Sequence, residues 1–575
     1  MKKNPWIVGL VLALGASVGR ADDPIDSVLE RNPEIAMPKV VRTFSDKLPG
    51  LWLDALGRPE ADMRCQAAMA IAKAHAMGMG GLAITVPALT RELERPDQHS
   101  SVALAAAKAL VALDAKDSAP GLFKLASAGD LELREIIEAA LARWNFAPAR
   151  EDWLKRLNAP APRGRSAILA IRSLATAREP KAVPRLRELV LSVETPAQIR
   201  LEAAKALGTL RKSGAEADAE LLAADASAKG MLARLAGVWL LRHHSGDRAI
   251  RQLQSFARDA EPSVAVVALT RLVELDPAHV EPILASALGS TDANARGLGV
   301  EVLFRRPSDS HIQQLGERLS DAHPDVRSQA RRALRELAGK FRTAVLAECE
   351  RALAGADWRG REQAAILYAQ LDHKPAALKL TAVLSDERPE AAIAAAWGLR
   401  VLAVPETLPN SLAHFVRHTA KPDPPEWRDR QLGHLAQQMG QARYTLADTS
   451  LRVVVPPNNR SGVHTRAAAS WALGLIHEGK PVPELAATLA GRVSAVRPFD
   501  VELEPVRTMC AISLARMKAA EQLPTLRTFY TDGKPSFNKV NNACAWAIEQ
   551  LTGEKVPPPG ELVLPQRAWF LVPID

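Results

Sequence analysis

The segment HPDVRSQARRALREL, residues 323–337, decides the fold. Counted from Arg327, apolar residues recur at positions −1, +3, +6, +7 and +10. At about 100° per residue these positions fall in one sector of an α-helix. The spacing therefore predicts an amphipathic helix that buries one stripe against its neighbours.

The same pattern returns along most of the chain. Residues equivalent to Arg327, here called anchors, occur fifteen times, and eleven of them are arginine. Six of the fourteen spacings are 31 residues and the others run from 34 to 41. The register is least well defined at Arg165 and Arg428. The anchors are Arg64, Ala103, Arg134, Arg165, Arg200, Arg234, Ala265, Arg296, Arg327, Arg361, Ala392, Arg428, Arg466, Arg507 and Asn541.

Each anchored helix (helix B) follows a second amphipathic segment (helix A), such as VPALTREL at 86–93 or HIQQLGERL at 311–319. Pro, Gly and Asp separate the two segments, as expected of a turn. One such pair cannot bury its apolar stripe alone, so neighbouring pairs must stack. We predict an all-α fold, an α-solenoid of about fifteen helix pairs over residues 40–552.

The repeat resembles the HEAT-repeat family through Asp325-Val326-Arg327, Ala330, Ala333 and Leu334, and through TPAQIRLEAAKALGTL at 195–210. Its short period is similar to the HEAT-like repeats of phycobilisome lyases. The resemblance implies a solenoid. It does not choose a function, because family members include scaffolds, adaptors, inhibitors and occasional enzymes.

The anchor arginines have two interpretations. We expect a structural role, in which each pairs with a carboxylate in its own A–B turn, such as Asp62, Glu132, Asp292 or Asp325. The alternative is a basic ladder that binds an acidic partner.

Residues 1–21, MKKNPWIVGLVLALGASVGRA, have the pattern of a signal peptide that is cleaved before Asp22. They leave an N-terminal segment, 22–39, and predict export to a periplasmic or secreted location, without membrane insertion after cleavage. An uncleaved anchor is the alternative. Removal of this peptide lowers the net charge from +9 to +6, and we expect no nucleic-acid partner.

Four tryptophans share position +5 from their anchors: Trp239, Trp397, Trp471 and Trp546. Position +5 lies about 140° from the centre of the buried stripe, so we expect these rings to be exposed. Exposed tryptophan is frequent at interfaces, which predicts a groove that binds a partner protein. The alternative is packing between neighbouring B helices.

Residues 440–462 interrupt the repeat. LRVVV at 451–455 predicts a short strand, followed by the turn residues PPNN, so the segment is expected to form an inserted loop. It either contacts a partner or only covers the solenoid. The tail, 553–575, is expected to cap the last repeat; the alternative is a docking strand for another protein. The loop residues predicted to contact a partner are Arg443, Tyr444, Arg452, Asn458, Asn459 and Arg460.

Catalytic signals are few. His414 and His418 have the i, i+4 spacing of metal ligands, but we expect surface histidines, and no metal or cofactor is predicted. Cys510 and Cys544 occupy equivalent positions on adjacent B helices, too far apart for a disulfide. We predict an exported, monomeric scaffold or adaptor that is not an enzyme and binds one or more proteins. The alternatives are a lyase-like enzyme or enzyme subunit and, third, a polyanion-binding protein.

Overall fold

The computed structural model describes residues 25–565 and 571, except for 97, 129–130, 161, 163, 225–229, 423, 458–460, 499 and 532–536. The predicted signal peptide, 1–21, therefore lies outside the described residues. So do Asn458, Asn459 and Arg460, and most of the tail beyond 565.

The fold is an all-α solenoid of helix pairs, as the repeat predicts. By contacts the chain divides into two compact units. The N-terminal array comprises residues 41–302, with which 563–575 are grouped, and the C-terminal array comprises residues 303–562 with those up to 40. Four short strands are described: β1 (Val40–Thr43), β2 (Val496–Arg497), β3 (Asp500–Val501) and β4 (Leu562–Pro565).

The N-terminal array holds the first sixteen helices, the last of which runs three residues past its boundary. They are α1 (Leu48–Leu56), α2 (Ala61–Ala76), α3 (Val86–Glu94), α4 (Ser100–Ala112), α5 (Ala119–Ala128), α6 (Leu131–Arg143), α7 (Ala147–Leu157), α8 (Gly164–Thr176), α9 (Val183–Leu191), α10 (Ala197–Leu210), α11 (Glu216–Ala223), α12 (Met231–Leu240), α13 (Asp247–Phe256), α14 (Pro262–Leu275), α15 (Leu284–Leu288) and α16 (Ala293–Arg305).

In the C-terminal array, helix α18 kinks at Phe341 and so joins the B helix of one pair to the A helix of the next. The helices of this array are α17 (Asp309–Glu317), α18 (Pro324–Ala354), α19 (Trp358–Gln370), α20 (Ala377–Val383), α21 (Pro389–Leu402), α22 (Leu408–Thr419), α23 (Glu426–Gln441), α24 (Asp448–Val454), α25 (Val463–Ile476), α26 (Pro483–Ser494), α27 (Glu504–Arg516), α28 (Leu523–Thr528) and α29 (Lys539–Thr552).

Each of the fifteen predicted anchors lies near the start of a separate B helix. In twelve of these helices the anchor is the fourth residue. The exceptions are Arg165, at the second position of α8, and Arg428 and Asn541, at the third positions of α23 and α29. In α23 the fourth residue is the buried Asp429, so the register predicted from Arg428 is one residue early.

The anchor arginines hold helix ends together, but Arg64, Arg361 and Arg466 form ion pairs with carboxylates of the following repeat and not with one in their own A–B turn. Arg361 donates to the carbonyl oxygens of Gly355 and Ala356, in its own A–B turn, at 2.9 and 2.8 Å. Its ion-pair partner, Asp386, lies 2.6 Å away in the A–B turn of the following repeat. A guanidinium reaches several acceptors at once, and carbonyls at the C-terminus of helix A carry partial negative charge.

The described part of 440–462, which leaves out 458–460, belongs to the regular repeat, so the strand predicted at 451–455 is wrong and residues 440–457 form no inserted loop. Helix α23 continues to Gln441, and α24 takes up Leu451–Val454 as the A helix of the next pair. Leu451 and Val454 are buried in the repeat stack. Burial of this apolar face overrides the intrinsic β preference of valine.

All four cysteines are free and buried, so the prediction that Cys510 and Cys544 stay unbridged is confirmed. Burial raises the pKa of both thiols to about 12, which keeps them protonated.

In the tail, the Leu562 amide at the start of β4 donates to the Lys39 carbonyl at 2.9 Å. The capping role predicted for 553–575 stays a prediction.

Candidate functional site

Residues 25–37, IDSVLERNPEIAM, lie across the B helices of the C-terminal array. We call them the docking segment. Their contacts come from side chains of five successive B helices, α21, α23, α25, α27 and α29. These side chains form the docking face, which consists of Trp397, Arg400, Gln437, Trp471, Arg516, Lys539 and Asn542.

The first pocket holds Asp26. The Trp397 indole N–H donates to Asp26 Oδ1 at 3.0 Å, and Arg400 Nη2 donates to the same oxygen at 2.7 Å. Arg400 Nη2 also donates to the Asp26 backbone carbonyl at 2.9 Å. Trp397 and Arg400 are three residues apart on α21 and so share one helix face. Within the segment, Arg31 pairs with the other carboxylate oxygen at 3.1 Å.

The second pocket repeats this arrangement around Asn32. The Trp471 indole N–H donates to the Asn32 carbonyl at 2.5 Å. Arg516 Nη2 donates to the same carbonyl at 2.8 Å and to Asn32 Oδ1 at 2.6 Å. The Arg516 guanidinium carbon also lies 5.3 Å from the centre of the Trp471 ring. Each pocket thus combines an indole N–H with a guanidinium, and each takes one main-chain and one side-chain oxygen.

Fewer hydrogen bonds hold the docking segment between and beyond the two pockets. The Val28 amide donates to Gln437 Oε1 at 3.0 Å, where a short 3-10 turn, Val28–Glu30, begins. At the far end Asn542 Nδ2 lies 3.4 Å from Met37 Sδ, and the exposed ammonium of Lys539 lies 3.5 Å from Glu30.

The docking segment bends as it crosses the face. Residues Val28–Glu30 form a 3-10 turn, in which the Arg31 amide donates to the Val28 carbonyl at 3.1 Å, and a further turn follows at 31–33. The ion pair between Arg31 and Asp26 spans the first turn. The carbonyls of Asp26 and Asn32 stay free of bonds within the segment and accept from the docking face.

Close helix packing fixes Trp471 in place. A Cβ atom on Gly440 of α23 would lie 2.7 Å from Ala472 Cα and 3.0 Å from the Trp471 ring. A Cβ atom on Gly474 of α25 would lie 2.4 Å from Ser513 Oγ on α27. Glycine at both positions lets three B helices approach closely, and Trp471 is fully buried between them.

Burial and charge tune the groups in the pockets. Burial alone would raise the pKa of Asp26, but the hydrogen bond from Trp397 and the charge of Arg400 lower it overall. Burial lowers the pKa of Arg400 and lowers that of Arg516 to about 10, so both remain charged at neutral pH. Nearby His434 on α23 has its pKa lowered to about 3, first by burial and then by Arg400 and Arg430.

The tryptophan prediction needs correction at two of its four positions. Trp397 and Trp471 are buried, 5% and 0% exposed, because neighbouring helices and the docking segment surround them. Trp546 on α29 is half-buried. Trp239 lies in the N-terminal array, where it is half-buried and the Lys205 ammonium is 5.3 Å from its ring centre. Whether any of the four binds a partner stays a prediction.

The described residues of 440–462 that were expected to contact a partner are held by the fold itself. Arg443 forms an ion pair with Glu478 at the end of α25. Arg452 pairs with Asp448 at 2.9 Å and lies 3.3 Å from His477. Tyr444 is half-buried at the end of α23. Their predicted partner contacts remain predictions.

The histidine pair is more buried than predicted. His414 is only 5% exposed and lies 3.3 Å from Gln431, and its ring centre is 4.4 Å from that of His418, which is half-buried. Burial lowers the pKa of both to about 4. In the described part of the chain, no cluster of three His, Cys, Asp or Glu side chains is arranged to hold a metal ion. Likewise, no described helix is both long and apolar enough to cross a membrane.

Sequence reasoning missed Arg400, Gln437 and Arg516. A signal for the first two exists, because Trp397-x-x-Arg400 and His434-x-x-Gln437 place an aromatic and a donor or acceptor three residues apart on neighbouring B helices. The error in register at Arg428 hid this parallel: counted from Asp429, His434 takes position +5, as Trp397 and Trp471 do. Arg516 follows no such spacing.

Fold and face together define an α-solenoid that holds a segment of its own chain, and solved solenoid structures resemble it. The chain is similar to Kap121p bound to Pho4p and to the karyopherin Kap121p bound to the extreme C-terminus of the protein phosphatase Cdc14p, each at 12% identity and a TM-score of 0.50. Each match covers 88% of this chain and 57% of Kap121p. At this identity the likeness concerns the fold alone.

No protein-family profile matches the sequence, and comparison with curated proteins gives no match.

Proposed function

We propose that this chain is a protein-binding scaffold whose docking face binds a short linear segment of a partner. One observation carries the proposal: the face holds residues 25–37 largely through their main chain and through two anchored side chains. Main-chain recognition suits many peptides, whereas the anchored side chains select among them.

Charge supports the same function. The docking segment carries three acidic residues and one arginine, whereas the face presents Arg400, Arg516 and Lys539. Both arginines are buried, and charge-assisted hydrogen bonds from buried donors contribute roughly 1.5–3 kcal/mol each. Two such pockets are a sufficient basis for specific peptide binding.

The test uses a fluorescein-labelled peptide of residues 25–37 and the full chain with Asp26→Ala and Asn32→Ala, which weakens the resident segment. Fluorescence anisotropy is expected to show saturable binding to this double variant. The unaltered chain should bind at least tenfold more weakly, because its own segment occupies the face.

A matched pair of controls locates the site. Addition of Arg400→Ala and Arg516→Ala to the double variant should abolish binding, whereas Lys108→Ala and Arg172→Ala, on B helices of the N-terminal array, should leave it unchanged. A double variant that does not bind the peptide, or binds it equally well without Arg400 and Arg516, refutes the proposal.

Export through residues 1–21 is part of the proposal and rests on the sequence pattern. Mass spectrometry of the chain expressed with its leader should find an N-terminus at Asp22; an intact leader would contradict cleavage. A monomeric state stays a prediction. The similarity to phycobilisome-lyase-type repeats also stays a prediction, because it rests on the repeat period alone.

A further inference from the structure

We infer that the partner's segment presents a carboxylate to the Trp397–Arg400 pocket and, six residues further on, a short side chain with an oxygen acceptor to the Trp471–Arg516 pocket, and that it displaces residues 25–37. This inference rests on the proposed function and specifies its ligand. The docking segment is then a resident competitor that occupies the site until a better-fitting partner arrives.

The first pocket selects a negative charge. Arg400 is 6% exposed, and both it and the Trp397 N–H donate to Asp26 Oδ1. A neutral side chain would leave the buried Arg400 without a counter-charge, which is costly in a low-dielectric site.

The second pocket selects an oxygen acceptor on a short side chain. Arg516 Nη2 donates both to the Asn32 carbonyl at 2.8 Å and to Asn32 Oδ1 at 2.6 Å, so the acceptor must lie close to the main chain. A side chain without such an oxygen would leave the buried Arg516 with one acceptor fewer.

The resident segment leaves donors unused. Arg400 Nε and Arg516 Nη1 are buried and have no hydrogen-bond partner within the part of the chain that the structure describes. An unsatisfied buried donor destabilises the bound state, because it has lost its hydrogen bonds to water. A partner that also satisfies these donors binds more tightly than residues 25–37, which makes displacement favourable.

The spacing follows from the helix stack. The two pockets are formed by α21 on one side and by α25 with α27 on the other, with α23 between them. Six residues separate Asp26 from Asn32, and Gln437 of α23 meets Val28 between them. The 3-10 turn Val28–Glu30 lies between the two anchored residues, so a ligand fills both pockets when it keeps this six-residue interval and this turn.

The experiment compares labelled peptides on the full-chain Asp26→Ala/Asn32→Ala variant by anisotropy. The peptide of residues 25–37 is the reference. Changing the equivalent of Asp26 to Asn should weaken binding at least tenfold, and changing the equivalent of Asn32 to Ala about fivefold. A peptide with serine and alanine at all other positions should stay within tenfold of the reference.

A double-mutant cycle tests the second pocket alone. With Arg516→Gln in the protein, the reference peptide and the peptide that carries Ala in place of Asn32 should bind within twofold of each other, because the donor to Asn32 Oδ1 is gone. Peptides that bind regardless of these changes overturn the inference but leave the proposed function standing. If no peptide binds, both fail.

Displacement is measured on the unaltered chain. Saturating peptide should raise the hydrogen-exchange rate of residues 25–37 at least tenfold. Binding without this increase would overturn the resident-competitor role. Light scattering of the Asp26→Ala/Asn32→Ala variant should report the same mass as the unaltered chain; a peptide-dissociable dimer of the unaltered chain would instead make a second copy the occupant and overturn the inference.

Discussion

The B helices of the two arrays satisfy their polar side chains in different ways. In the N-terminal array, charges pair across adjacent B helices, as in Lys108–Glu132 at 3.2 Å and Arg172–Glu202 at 2.9 Å. In the C-terminal array, Arg400 and Arg516 find their acceptors in the docking segment.

In the N-terminal array, ion pairs between neighbouring repeats leave few charged groups for a ligand. In the C-terminal array, the donors of the docking face take their acceptors from a distant segment, so they can act as a binding site. One repeat frame therefore supports both a structural surface and a binding surface. The choice depends on where the acceptors lie, not on the number of charges.

The largest effect is expected when Trp471→Ala, in the C-terminal array, is compared with Trp239→Ala, in the N-terminal array. Trp471 is fully buried, so its truncation should cost about 3–5 kcal/mol of local unfolding free energy. Truncation of the half-buried Trp239 should cost about half as much local unfolding free energy. Native-state hydrogen exchange of α25 and α12 measures both. Equal losses would contradict the assigned burial. Trp471→Phe, which keeps an aromatic ring but loses the N–H and part of the indole volume, should cost α25 less than Trp471→Ala and still raise exchange of residues 25–37.

The second test is Arg400→Ala against Arg172→Ala. Removal of Arg400 leaves the Asp26 carboxylate without its main partner, so docking should weaken by about 2 kcal/mol and exchange of residues 25–37 should rise about thirtyfold. Arg172 is half-exposed and pairs with Glu202, so Arg172→Ala should leave that exchange rate unchanged. A rise with both variants would refute a localised docking face.

The third test is acidification. The pKa of Asp26 is lowered in the docked state, so its contribution to docking is full above the ordinary carboxyl pKa, near 4, and is lost as pH falls through the lower, docked value. Pairs on the N-terminal array do not involve the segment. Exchange of residues 25–37, corrected for the intrinsic pH effect, should rise below about pH 4 in the unaltered chain. Asp26→Asn should show no such rise while circular dichroism stays constant.

The smallest effect is expected for Lys539→Ala. Lys539 and Glu30 are both largely exposed, and exposed pairs contribute at most about 1 kcal/mol. Exchange of residues 25–37 should change by less than about fivefold, and 0.5 M salt should remove the change. Lys108→Ala, at a comparably exposed pair, should be equally mild for α4. A large effect of Lys539→Ala would mean that the docking face extends further along α29 than the contacts indicate.

The sequence predicted the repeat of helix pairs much better than the docking face. Periodicity located all fifteen B helices, because a buried stripe is a local property of each helix. It failed at Leu451–Val455, where packing overrides the β preference of valine, and at Arg428, where the register slips by one residue.

Trp397 and Trp471 show why the sequence did not reveal the docking face. A helical wheel shows only which side of one helix faces its neighbours. At position +5 it correctly assigns Lys108 and Arg332 to solvent. The same position is buried at Trp397 because Asp26, 371 residues away in sequence, binds there. No local pattern contains that partner, so the segment and its two arginines were accessible only through the structure.

The docking segment has a consequence for the order of assembly during synthesis. Helix pairs contact their neighbours and can form as the chain emerges, but the segment precedes its first partner by 371 residues and its last by 509. At translation rates of roughly 5–20 residues per second, it waits on the order of half a minute or more before that face exists. Residues 25–37 therefore dock only on a finished C-terminal array, and their protection would serve as a marker that the whole solenoid has been completed.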